Sequence, residues 1–102
     1  MYRRKHIEKW CEVEMDQKRI RKAIDDFGSV IKEYRKKEVM TLDSLASRVG
    51  CSPAFIFRAE RGSRIVPIHM RVRILKSGLN WKSSDVEHYL VEMIKGYEQK
   101  NR

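Results

Sequence analysis

The residues of this 102-residue chain best placed to do chemistry are Arg58 and Arg61, which follow the bulky Phe57 at helix-like spacing. That chemistry is recognition and not bond breaking. An arginine offers five N–H donors in a planar fork, which matches paired phosphate oxygens or the acceptor edge of a purine. The other reactive residue types are scattered. Cys11 and Cys51 are too few for a disulfide framework and lack metal-ligand spacing. His6, His69 and His88 fall in three separate segments, and the pair Asp25 and Asp26 suits helix capping better than acid–base work. No nucleophile–base constellation, phosphate loop or ligand set can be assembled, so neither an enzyme nor a metal or other cofactor is expected.

The composition narrows the choice of partner. Lys and Arg number 23 against 14 Asp and Glu, a net charge of +9, with 36% of residues charged and 41% hydrophobic. Such a chain suits one small helical domain with a polyanionic partner, although charge alone does not separate DNA, RNA and acidic membrane. Two cysteines fit a reduced, cytoplasmic setting. Met1 leads into a charged stretch with no apolar signal core, and no run approaches the roughly 20 apolar residues that span a bilayer, so a soluble protein is expected.

The elements that would position the arginines are helices throughout. Residues 4–25 carry Ile7, Trp10, Val13, Ile20, Ala23 and Ile24 at intervals of three to four, an amphipathic helix with a weak middle near residues 14–19. Asp25 or Asp26 caps a second helix running to about Lys37. Thr41 reads as the N-cap of a short helix from Leu42 to Val49, and Gly50 stands where a left-handed C-cap residue is wanted. Ser52 then caps a helix that Pro53 opens and that ends at Gly62. Pro67 opens another, ending before Gly78, and Ser84 with Glu87 forms a capping box for a last helix. Leu45, Ala46 and Val49 share a face of the short helix. Ile56, Ala59 and Glu60 share one on the next, which leaves Ala54, Phe57, Arg58 and Arg61 looking outward. A short helix, a glycine turn and a serine-capped helix with an arginine-bearing outer face have the form that enters the major groove. Residues 51–76 hold six basic residues, Arg58, Arg61, Arg64, Arg71, Arg73 and Lys76, and the single acid Glu60. Positive charge is therefore expected to concentrate on that face.

Residues 27–62 resemble the lambda-repressor-like, xenobiotic-response-element type of helix-turn-helix regulator. The pattern is matched at Ile31, Arg35, Thr41, Leu45, Ala46, Gly50, Ser52, Ile56, Glu60, Arg61 and Gly62, with Pro67 opening the next helix; the likeness extends over about residues 27–79. The resemblance implies an all-α bundle of about five helices, here with an extra N-terminal helix. It implies an Arg35–Glu60 ion pair bracing the recognition helix. It implies DNA contacts at Thr41, Ser52, Pro53, Ala54, Phe57 and Arg58, with Arg61 and Arg64 near a phosphate-contacting loop. Three positions depart from it. Leu42 stands where glutamine often bonds phosphate, and Phe55 and Phe57 replace tyrosine or small polar residues, so these aromatics are expected to touch DNA or another protein.

The division expected is an N-terminal basic helix over 1–25, a DNA-binding unit over 26–79 and a C-terminal helix over 80–102. The basic run Arg3, Arg4 and Lys5 could be a DNA-reaching arm, part of a helix covering the core, or a dimer element. Trp81, Val86, Tyr89, Leu90, Met93, Ile94 and Tyr97 form an apolar stripe, expected to pair two copies so that each places a recognition helix on a palindromic operator, ~34 Å apart. The resemblance thus implies a homodimeric transcriptional repressor of bacterial or phage type. The alternatives are the antitoxin of a toxin–antitoxin pair and a helix-turn-helix scaffold used for protein interaction.

Overall fold

The computed structural model describes residues 17–100, and every regular element among them is helical. Helix α1 spans Gln17–Asp25, α2 Phe27–Lys37, α3 Leu42–Val49, α4 Pro53–Arg61, α5 Ile68–Arg73 and α6 Ser83–Lys100. Arg3, Arg4, Lys5, Ile7, Trp10 and Val13 of the expected N-terminal helix lie outside the described residues. No helix among those described is long and apolar enough to cross a membrane.

Local chemistry explains the helix starts. Asp26, not Asp25, caps α2: Ser29 donates its backbone N–H to Asp26 Oδ1 at 3.4 Å and its hydroxyl to Oδ2 at 2.7 Å. Helix α6 begins one residue before the anticipated Ser84 cap. The Asp85 and Val86 amides donate to the Lys82 carbonyl at 3.0 and 3.1 Å, which draws Ser83 into the helix and puts Ser84 inside the first turn.

Beyond Arg73 the helix that follows Pro67 widens into a π turn over Ile74–Gly78, with the Leu79 amide donating to the Ile74 carbonyl at 2.9 Å. Gly78 lets this turn lie against α3, since a Cβ there would meet Val49 Cγ2 at 2.8 Å.

A single core gathers Ile20 and Ala23 of α1, Phe27, Val30 and Ile31 of α2, Leu45, Ala46 and Val49 of α3, Ile56 and Ala59 of α4, Ile74 and Leu75, and Leu79, Trp81, Val86 and Tyr89. The last group corrects the dimer stripe. Trp81, Val86 and Tyr89 are buried within their own chain: Tyr89 lies 6.3 Å from Trp81, edge to face, and 6.3 Å from Phe27. Leu90 and Met93 are partly buried against the same core. The physical reason is volume. Helix α1 contributes only Ile20 and Ala23 as fully buried groups, so Tyr89 of α6 and Trp81 just before it help to fill the core. Ile94 remains exposed, as does Val91, which lies outside the anticipated stripe.

Candidate nucleic-acid interface

Backbone capping sets the path from α3 to α4. The Thr41 hydroxyl accepts from the Ser44 amide at 3.0 Å at the start of α3. Gly50 closes that helix with φ +89°, and its amide donates to the Ala46 carbonyl at 2.7 Å. Arg73 arrives from α5 to hold the same end, donating to the Val49 carbonyl at 3.2 Å and the Gly50 carbonyl at 3.3 Å. Two residues later the Ser52 hydroxyl accepts from the Phe55 amide at 3.1 Å, with Pro53 in the first turn of α4. Gly62, at φ +73°, ends the helix, and the Ser63 amide donates back to the Arg58 carbonyl at 3.1 Å.

Two features seat α4 in the bundle. Its inner side is Ile56 and Ala59, both buried. Across from them Gly28 allows the α2 backbone to press against the last turn of α4; a Cβ at Gly28 would lie 2.5 Å from the carbonyl oxygens of Ala59 and Glu60. The second feature is the Arg35–Glu60 ion pair. Arg35 Nε donates to Glu60 Oε2 at 2.7 Å and Nη2 to Oε1 at 3.1 Å, while Nη1 donates to the Met40 carbonyl at 3.0 Å. The Glu60 side chain is only 4% exposed and that of Arg35 19%. Hydrogen bonding to Glu60 holds the Arg35 guanidinium above its usual pKa. The pair fixes α4 to α2 and removes the only acid of the segment from the outer surface.

The anticipated contact residues lie outside the core. Thr41, Ser52, Pro53, Ala54, Phe57, Arg58, Arg61 and Arg64 are all exposed, the Thr41 and Ser52 oxygens being engaged as caps. Among the described residues no partner holds the Arg58 guanidinium. The other two arginines rest on aromatic rings: Arg61 lies 5.3 Å from the Phe57 ring centroid and Arg64 5.0 Å from that of Phe55. Phe55, read from sequence as exposed, is partly buried against the core.

Three of the six basic residues expected to concentrate positive charge, Arg71, Arg73 and Lys76, also hold the fold together. Arg71 donates to the Val66 carbonyl and the Tyr89 hydroxyl, both at 2.8 Å, and lies 4.9 Å from the Phe27 ring centroid. Burial pushes the Tyr89 hydroxyl above its ordinary pKa, with Arg71 pulling the other way. Lys76 donates to Ser83 Oγ at 2.6 Å. Arg48 likewise donates to the Gly78 carbonyl at 2.7 Å and the Tyr34 hydroxyl at 3.1 Å. These anchoring roles join residues up to 30 apart, and no local spacing signals them.

Two exposed apolar side chains after Arg64 also escaped the sequence reading. Ile65 is 89% exposed and Ile68 52%. Cys51, in the turn, is partly buried, and burial raises its thiol pKa despite the nearby Arg73 charge. His69 is exposed, and His88 lies 3.7 Å from Glu92 on the surface of α6. Among the described residues no three His, Cys, Asp or Glu side chains converge as a metal site would need. In comparisons with known proteins, no family model, no curated protein and no solved structure matches this chain.

Proposed function

We propose that this chain is a sequence-specific, duplex-DNA-binding transcriptional regulator, in which α3 and α4 act as a helix-turn-helix of the lambda-repressor-like type and α4 enters the major groove. The observation that carries this reading is the outer face of α4. Arg58 has no partner among the described residues, Arg61 and Arg64 follow it and each lies over a ring, and Glu60, the one acid of residues 51–76, is paired with Arg35. Arg58 pairs with a guanine edge, and Arg61 and Arg64 meet backbone phosphates. The protein works by occupying a promoter as a repressor in the cytoplasm, without catalysis.

Two copies pair through the outer side of α6, where Val91 and Ile94 are exposed. This replaces the inward-facing Trp81, Val86 and Tyr89 of the expected interface. A second reading, a protein-binding module, draws support from Phe57, Ile65 and Ile68, which are all exposed.

Selection of bound fragments from random duplex DNA, followed by a salt titration of the winner, separates the two. DNA recognition predicts an enriched palindrome and an affinity falling by about 10³–10⁵ from 50 to 200 mM salt if 6–10 phosphates are met. No enrichment at any salt concentration would remove the DNA reading.

A further inference from the structure

The three exposed arginines of the α4 face are not equivalent. Arg58 rests on no ring among the described residues, whereas Arg61 and Arg64 each lie over one. Phe57 and Arg61 are one helical turn apart, so the stack forms within α4. Phe55 and Arg64 are farther apart in sequence, and their stack ties the segment after Gly62 back to the first turn of α4.

A guanidinium resting on a ring uses its face and leaves the N–H edge available. The ring also restricts a long side chain that otherwise samples many rotamers, which lowers the ordering cost when an anion is bound. Phe55 is itself packed against the core, so the position of Arg64 is referred to the body of the protein.

We infer that Phe57 and Phe55 are positioning residues, which hold Arg61 and Arg64 with their N–H edges presented to two DNA phosphates, and that neither ring reads a base. The inference rests on the DNA-binding reading above. It assigns specificity to Arg58 and register on the backbone to the two stacked arginines. It also accounts for bulky aromatics at positions 55 and 57, where a thymine contact or a protein contact would otherwise be invoked.

The test uses the full chain and the duplex selected above, with Phe57→Leu, Phe57→Tyr and Arg61→Ala. In the free protein, NMR should find the Arg61 side-chain protons shifted upfield by the ring current in wild type and in Phe57→Tyr, and unshifted in Phe57→Leu. On DNA, Phe57→Leu should flatten the log K against log salt slope by about 0.9, the value for one phosphate. Over a fourfold rise in salt the wild type then loses about 3.5-fold more affinity than the variant. Base preference should not change, Arg61→Ala should match Phe57→Leu, and combining the two should add little. Phe57→Tyr should restore the wild-type slope. An unchanged slope with relaxed base preference would show that Phe57 touches bases and would overturn the inference alone. An unshifted Arg61 in wild type would also overturn it. Wild-type protein that retains no duplex at any salt would instead remove the DNA reading and the inference with it.

Discussion

Gly28 and Ala59 meet where α2 crosses α4, and a methyl group on Gly28 would sit 2.5 Å from the Ala59 carbonyl oxygen. Backbone atoms line this contact, so no side-chain rotation can relieve it. We expect Gly28→Ala to destabilise the fold by about 3 kcal/mol, the upper range for overpacking. Urea unfolding followed by circular dichroism measures the loss. An unfolding midpoint equal to wild type would mean that the two helices do not approach so closely.

Arg35 and Glu60 should behave as a coupled pair. Removing one partner strands a charge in a poorly hydrated site, which typically costs about 3–5 kcal/mol, whereas replacing both by apolar residues costs far less. Arg35→Met and Glu60→Leu, alone and together, form the double-mutant cycle. Simple additivity of the two unfolding free energies would contradict the ion pair at 2.7 Å.

Val39 terminates α2 in a conformation suited to glycine. Its φ is +53°, and the Met40 amide donates to the Arg35 carbonyl at 2.9 Å, the bond that closes a left-handed helix end. A β-branched residue is strained there by about 1–2 kcal/mol, and at 89% exposure its side chain gains little from packing. Glycine lowers unfolded-state order by less than that. Val39→Gly should therefore stabilise by about 1 kcal/mol, raising the melting temperature by about 4–8 °C. A lower melting temperature would show that the strain is not present.

Cys51 should be a slow nucleophile. Burial raises the thiol pKa, so the thiolate fraction at neutral pH is smaller than that of a free cysteine, and the reaction accelerates only as pH rises. In a Cys11→Ser background, iodoacetamide should label Cys51 several-fold more slowly in the folded protein than in urea. Equal rates would argue for an activated, redox-responsive thiol.

Arg58→Ala should leave folding stability within about 0.5 kcal/mol, as for a surface residue without partners. Under the proposed function it should weaken the specific DNA complex by about 1–3 kcal/mol and relax preference at one base pair. Competition binding against single-base operator variants reads both effects. Unaltered affinity together with unaltered preference would remove Arg58 from the groove.

The helix ends were legible because capping is local. Thr41, Gly50, Ser52 with Pro53, and Gly62 bond to atoms three to five residues away, so α3 and α4 lie where residue spacing places them. The outward face of α4 was equally readable, since a helix that buries Ile56 and Ala59 must expose Arg58 and Arg61.

Other features depended on which surfaces met. Periodicity marked one side of α6 as apolar but could not say whether a second copy or α1 and α2 would cover it; tertiary packing gave Trp81, Val86 and Tyr89 to the core. Charge along the chain could not separate Arg58 from Arg71 and Arg73, because the latter two are held by acceptors brought near only by folding. Cap geometry and helical phase are properties of a few neighbouring residues, and these the amino-acid order determined. The task each arginine performs depends on atoms far away in the chain, and only the assembled bundle decided it.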